Sequence, residues 1–217
     1  MKDVILVLTN SQDGEHSDVV IRKLQQRGEH VIRLDVDRIE RGGVDLTFQI
    51  NAKLDRALII STSDGVCSPE QIKSVWYRRP NRFSLTIQDE VQRRFAEGEL
   101  GNFLEGLWLL LPSGVFWLNH PVCLERARKK VVQLQLAERI GFRIPQTVIT
   151  NSPGRVWEFV GACSPRRIVF KTVHHNFFDY GDRGLVVPTT VISEQHLEQL
   201  GLIRATPSIF QELIEKA

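Results

Sequence analysis

Apolar and polar positions along this chain fall into short runs with two periods. Residues 3–10, DVILVLTN, are almost continuously apolar, the pattern of a strand buried on both faces of a parallel sheet. Residues 11–16 are polar and contain Gly14, so they read as a loop. Val19, Val20 and Leu24 recur at helical spacing within 18–26, and Gly28 supplies the stop. Residues 31–36 form a second strand pattern. In 45–50, Leu46, Phe48 and Ile50 alternate with polar neighbours, which predicts a half-buried strand with 56–61 as its hairpin partner. Residues 74–78 read as a further strand. Strand, helix, strand and then hairpin predict an α/β sheet with an antiparallel edge.

Residues 89–111 carry the longest helical pattern of the first half, with Val91, Phe95, Leu100, Phe103, Leu104, Leu107 and Leu111 on one stripe. Gly98, Gly101 and Gly106 argue against one straight helix. Pro112 and Gly114 end it, and 115–118 read as a strand. A domain boundary is expected near 119–121, giving domains 1–118 and 119–217. The second half opens with an amphipathic helix over 124–140, stopped by Gly141. A strand over 147–150 follows Pro145. Ser152 and Pro153 have the order of an N-cap and a first helical residue, for a helix to about Ala162. Strands are then expected over 167–173, 185–192 and 208–215, with a polar loop over 174–184 and a short helix from Ser193 to Leu200.

Composition narrows the class. Among 217 residues, 42% are hydrophobic and 25% charged, ordinary for a globular protein. The net charge of +2 gives no reason to expect a nucleic-acid partner. The longest apolar run, 107–118, is too short to span a bilayer and is broken by Pro112 and Gly114, so no membrane association is expected. Cys67, Cys123 and Cys163 are odd in number and far apart, which suits a reducing cytoplasm and no disulfide scaffold. No pair has the spacing of metal ligands.

Neither common glycine-rich phosphate motif occurs, nor do the serine-elbow and zinc-helix motifs. Candidate chemistry therefore rests on five other segments. Lys130 opens a helical segment ending at Gly141, where an ammonium can reach an anion; the run Arg126, Arg128, Lys129 and Lys130 equally suits a solvated basic face. Lys171 interrupts the apolar run IVFKTV, so it either meets an anion or points to the solvent side of its sheet. The loop 174–184 has Asn176, Gly181 and Gly184, two histidines and aromatics, suiting backbone contacts to phosphate or a plain hairpin loop. Residues 208–215, SIFQELIE, form an apolar strand with a charged end that can offer backbone groups to a base and an acid to a ribose. Arg78 and Arg79, after Trp76 and Tyr77, can bind a carboxylate or phosphate, or pack as strand-end charges on Trp76.

Taken in order, these segments resemble the ATP-grasp ligases. Lys130, Gly141, Pro145 and Thr147, the strand lysine Lys171, a glycine-containing loop and the FQELI run match the nucleotide-binding half of that family. The VWYRRP run at 75–80 is most similar to the microviridin-type (graspetide) peptide ligases, with the ribosomal-protein glutamate ligases next. The resemblance implies a pre-ATP-grasp α/β domain followed by the nucleotide-binding part of an ATP-grasp fold. It implies ATP held by Lys130 and Lys171 at the phosphates, by Gln211, Glu212, Leu213 and Ile214 at a hinge strand, and by 174–184 as a lid. Glu215 is a weaker candidate for the ribose. Arg78 and Arg79 become candidate substrate-binding residues. The implied reaction is Mg-ATP-dependent activation of a carboxylate as an acyl-phosphate, then attack by an amine or hydroxyl. The partner is a precursor peptide or protein in the cytoplasm.

The family's magnesium ligands and its acyl-phosphate-binding arginine follow the hinge strand, so they are expected after Ala217. The 217 residues are then a fragment without the catalytic domain and inactive alone. A binding module of the same fold, and a glutamate ligase acting on a protein terminus, are the alternative readings. A hinge strand left at the chain's end is expected to be an open edge, which makes a homodimer an expectation too.

Overall fold

The structure is a computed structural model that describes residues 3–51, 56–80, 85–165, 167–174, 177–179 and 184–215. It divides into two compact units, Met1–Cys123 and Leu124–Ala217.

The first unit is built on a parallel sheet. Strand β1 (Val4–Thr9) is buried along its whole length. It is followed by helix α1 (Gly14–Gln26) and β2 (His30–Asp35). Three antiparallel strands come next, β3 (Val44–Ile50), β4 (Arg56–Thr62) and β5 (Gly65–Cys67). The chain then returns through β6 (Ile72–Tyr77), helix α2 (Glu90–Leu109) and β7 (Phe116–Leu118). The parallel sheet has the order β2-β1-β6-β7. Alternation along β1 gives the sheet two packed faces. Val4, Leu6 and Leu8 join Ile32, Leu34, Ile60, Ile72, Leu104, Leu107 and Trp108 in one core. Ile5 and Val7 pack on the other side with Val31 and with Ile21 and Leu24 of α1.

The second unit contains most of α3 (Pro121–Arg128), then α4 (Lys130–Arg139), β8 (Thr147–Thr150), α5 (Pro153–Cys163) and β9 (Ile168–Lys171). A short antiparallel pair, β10 (Phe177–Asp179) and β11 (Gly184–Val186), precedes β12 (Thr190–Val191), α6 (Glu194–Glu198) and β13 (Ser208–Glu212). The main sheet is antiparallel with the order β12-β9-β13-β8. Its inner face supplies Phe210, Phe170 and Val148 to a core closed by Val156, Cys163, Leu200 and Ile203. The rings of Phe170 and Phe210 meet edge to face, with centroids 5.9 Å apart.

Several sequence expectations are corrected, each for a local reason. The antiparallel strands are a separate three-stranded sheet and not an edge of the parallel one. Helix α1 begins at Gly14, inside the segment that reads as a loop. Asn10 accepts the Gln12 amide proton at 3.0 Å, and the Ser17 hydroxyl donates to the Asp13 carbonyl at 2.8 Å, so side-chain bonds carry the chain into the helix. The single helix over 124–140 is two helices. Lys129 is extended at ψ 115°, and the Gln133 side chain donates to the Ala127 carbonyl at 2.7 Å, which satisfies an orphan acceptor of α3. The strand expected over 185–192 is interrupted at Pro188, which has no N–H to give a ladder. The final strand stops at Glu212. It lies inside its sheet, bonded on both sides, so the open edge expected there is absent; the edges are β12 and β8.

Two apolar patterns are only half used. Phe48 and Ile50 of the hairpin face are exposed, and only Val44, Leu46, Leu58 and Ile60 pack. α2 is one helix despite its glycines, yet only its C-terminal half is buried; Val91 and Phe95 stand in solvent. Among the described residues no helix is long and apolar enough to cross a membrane.

None of the three cysteines is in a disulfide. Burial pushes the Cys67 thiol up to about 11, so it stays protonated and unreactive near neutral pH. Cys163 is also buried, and its thiol lies 3.8 Å from the Gln146 side-chain oxygen, whereas Cys123 is exposed. A thiol probe at neutral pH is therefore expected to titrate Cys123 alone in the native chain and all three thiols in denaturant. Mass mapping of the labelled peptides checks this.

Candidate functional site

The outer face of the second unit's sheet is the one that faces away from the Phe210 core. Because side chains alternate along a strand, Ile209 and Gln211 of β13 share that face with Val169 and Lys171 of β9 and with Thr147 of β8. α4 lies over it. Lys130, Gln133, Leu134 and Ala137 recur at helical spacing and line, with Lys171, Thr172, Ile209 and Gln211, an open cleft of about 390 Å³.

The two lysines meet in this one cleft. The Lys171 ammonium donates to the Gln211 side-chain oxygen at 2.6 Å. The Gln211 amide nitrogen donates in turn to the Thr147 hydroxyl at 2.8 Å, and that hydroxyl to the Pro145 carbonyl at 2.8 Å. Lys171 is thus aimed by a chain of three bonds anchored on backbone. Gln211 is buried, and Lys171 is half-buried on an otherwise apolar strand. Lys130 is the first residue of α4, and its ammonium donates to Gln133 at 3.2 Å. It is half-buried, while Arg126, Arg128 and Lys129 are exposed; Arg128 and Lys129 pair with Glu125. The basic run therefore divides into a solvated group and one cleft residue. Two cations held by neutral amides retain their charge for an anion, and a polar face with an apolar floor suits a nucleotide.

Beyond Gln211, the Glu212 N–H donates to the Gln146 carbonyl at 2.9 Å and the Leu213 N–H to the Arg167 carbonyl at 2.8 Å. These bonds carry the pairing of β13 past its end. Ile214 follows and is exposed, and Glu215 sits 3.9 Å from the Arg167 guanidinium, an exposed pair. Much of the segment 174–184 lies outside the described residues, apart from its β10–β11 pairing. Among the described residues no group of three His, Cys, Asp or Glu side chains is arranged to hold a metal ion. Sequence reading missed Gln133 and Thr172 as lining residues. Gln133 was accessible through its i+3 spacing from Lys130, while the Gln211–Lys171 bond depends on strand register.

Arg78 and Arg79 lie in the first unit, at the carboxyl ends of β1 and β6. The chain reverses its direction of winding between those strands, the place where open α/β sheets bind ligands. Here the protein's own polar groups bond to one another. The Arg78 guanidinium donates to the buried Asp13 carboxylate at 3.2 Å, and the Thr9 hydroxyl donates to the same oxygen at 3.2 Å. Asn10 donates to the Arg79 carbonyl at 2.7 Å, which secures a left-handed turn at Arg79, φ 46°. Arg33 bridges Asp35, Asp18 and the Asn10 carbonyl. Arg79 itself is exposed.

Comparisons with known proteins bear on the family and the fold. Residues 4–125 match the family model of the MvdD pre-ATP grasp domain. No curated protein matches the chain. Among solved structures, the macrocyclase MdnC of Microcystis aeruginosa MRC, bound with precursor peptide MdnA, is similar at 28% identity and a TM-score of 0.85, over 99% of this chain and 69% of that one. A RiPP-associated ATP-grasp ligase of Chryseobacterium gregarium, in complex with ADP and a leader and core peptide, is similar at 29% identity and 0.86, over 99% and 63%. The macrocyclase MdnB of Microcystis aeruginosa MRC gives 29% and 0.79, over 99% and 69%. The chain thus spans between 63% and 69% of the length of these three ligases. On the match over 4–125, the chain belongs to the family of the MvdD pre-ATP grasp domain.

Proposed function

We propose that this chain is the nucleotide-binding part of an ATP-dependent peptide ligase that joins carboxylate side chains to amines or hydroxyls in a ribosomal precursor peptide. The observation that carries the proposal is the meeting of Lys130, Lys171 and Gln211 in one cleft. The ligase complexes with precursor and leader peptides support the choice of a peptide partner.

In this reading ATP lies in the cleft with its phosphates at the two ammonium groups. Its base lies toward Gln211, Glu212, Leu213 and Ile214. A magnesium ion accompanying ATP would add to the charge neutralisation that Lys130 and Lys171 supply at the phosphates. ATP supplies the phosphoryl group that converts a carboxylate into an acyl-phosphate, with ADP as the leaving group; the amine or hydroxyl then takes the acyl carbon and phosphate leaves. The lysines' part is to hold and neutralise the phosphates, and Gln211 keeps Lys171 pointed at them without contributing a charge of its own. In the first unit, Arg78 is committed to Asp13, so the exposed Arg79 is the better placed of the pair for a substrate carboxylate.

Calorimetry with a non-hydrolysable ATP analogue tests the site. Loss of a charge-assisted bond is worth roughly 10- to 100-fold, so Lys171→Ala and Lys130→Ala are each expected to weaken binding by that factor. Gln211→Ala is expected to weaken it less, by roughly 3- to 10-fold, because the lysine remains but is no longer aimed. Equal affinity of wild type and Lys171→Ala rejects the site.

The ligase reading is tested separately by incubating the whole protein with ATP and its precursor peptide. The expected product has lost one water per cross-link. In that assay Arg79→Ala is expected to raise KM for the peptide with analogue binding unchanged.

A further inference from the structure

Among the described residues, Arg79 is the one residue other than glycine with a positive φ, at 46°; Gly28, Gly42, Gly65 and Gly141 hold the other such positions. In this region a side-chain carbon crowds its own backbone, so glycine enters it freely and arginine does not. Pro80 follows directly and narrows the backbone's choices further. An arginine held where glycine would fold more easily is accounted for when its side chain is used. That side chain is exposed, and among the described residues no carboxylate pairs with it, whereas its neighbour Arg78 is turned to Asp13. One buried side chain secures the turn. Asn10 uses both ends of its amide: the oxygen accepts the Gln12 N–H at 3.0 Å, and the nitrogen donates to the Arg79 carbonyl at 2.7 Å. The backbone of Asn10 is fixed as well, since its carbonyl accepts from the Arg33 guanidinium at 3.0 Å and from the Asp13 N–H at 3.2 Å. On the other side of the turn the Arg78 N–H donates to the Leu8 carbonyl at 2.8 Å, so strand pairing runs up to the residue before Arg79.

We propose that Asn10 is a positioning residue for Arg79: by holding the Arg79 carbonyl it keeps the backbone left-handed and the guanidinium presented at the carboxyl ends of β1 and β6, ready for a carboxylate of the peptide substrate. This rests on the reading of the chain as part of a peptide ligase. A long, flexible cation loses less freedom on pairing when its backbone is fixed beforehand, and that is what the Asn10 bond supplies. The adjacent arginines then have separate tasks. Arg78 and Asp13 tie the loop after β1 to the end of β6, and Arg79 meets the substrate. Asn10 touches no substrate; its effect passes through one backbone carbonyl.

A double-mutant cycle on the whole protein tests the proposal, read by fluorescence anisotropy of a labelled synthetic precursor peptide. Arg79→Ala is expected to raise the dissociation constant roughly 10- to 100-fold. Asn10→Asp keeps the acceptor for the Gln12 N–H and removes the donor to the Arg79 carbonyl, and is expected to raise it roughly 3- to 10-fold. In the Arg79→Ala background the same Asn10→Asp change is expected to cost less than about twofold, because the group it positions is gone. Asn10→Ser, which keeps a capping oxygen and is too short to reach the carbonyl, gives the same cycle if the Asp variant fails to fold. Arg79→Gly is expected to bind peptide as weakly as Arg79→Ala and to melt at a higher temperature than it, since glycine relieves the left-handed turn. Peptides with their acidic side chains replaced by amides, or with an amidated C-terminus, identify the carboxylate: one of the two is expected to abolish the difference between wild type and Arg79→Ala. An Asn10 effect of equal size in both backgrounds overturns the positioning role and leaves the reading of Arg79 standing. No effect of Arg79→Ala, or a difference that survives in both neutralised peptides, overturns the two together. Arg79→Gly melting no higher than Arg79→Ala overturns the held turn.

Discussion

The placement of β13 between β8 and β9 governs the second unit. A strand bonded on both sides has no freedom of register, and with register fixed the two sides of β13 are fixed too. Phe210 goes inward to the edge-to-face contact with Phe170, and Gln211 goes outward to Lys171. A slip by one residue would exchange a buried aromatic for a buried amide and dissolve the site and the core together. The apolar core is therefore what aims the cleft's polar groups. The sheet holds Gln211, Gln211 holds the lysine, and the Thr147 hydroxyl and Pro145 carbonyl close the chain on backbone.

The first unit treats its polar residues differently. At the carboxyl ends of its parallel strands the side chains satisfy one another: Arg78 with Asp13 and Thr9, Arg33 with Asp35 and Asp18, Asn10 with the Arg79 backbone. An open sheet of this topology offers a ligand crevice there, and here ion pairs line it. Desolvation works against the Arg33 guanidinium, and the carboxylates of Asp35 and Asp18 outweigh it and hold its pKa above the ordinary value. The two units differ in this: Arg78 and Arg33 of the first are paired with carboxylates, while Lys171 and Lys130 of the second are hydrogen-bonded to the neutral amides of Gln211 and Gln133.

Much of this was legible in the sequence, because the determining signals are local. The apolar run of β1, the alternation of β3, the caps at Ser152 and Ser193 and the interrupting Lys171 each announce themselves within a few residues. What was not legible depends on contacts distant in sequence. Nothing near Gln211 announces a lysine 40 residues earlier as its partner. The break at Lys129 depends on a glutamine reaching back six residues to a carbonyl. The apolar residues of α2 read as one stripe, but the helix divides them: Leu104 and Leu107 enter the core while Val91 and Phe95, nearly half a turn round, are exposed. The central position of β13 is a matter of topology, which a strand's own composition does not encode.

The break at Lys129 has a mechanical meaning. In a continuous helix each inserted or deleted residue rotates everything downstream by about 100°, so the angular position of Lys130 would be tied to the length of the helix before it. An extended residue between α3 and α4 uncouples the two phases. The chain upstream of Lys129 can then lengthen, shorten or change its surface charges over evolution while α4 keeps the same side chains turned to the sheet.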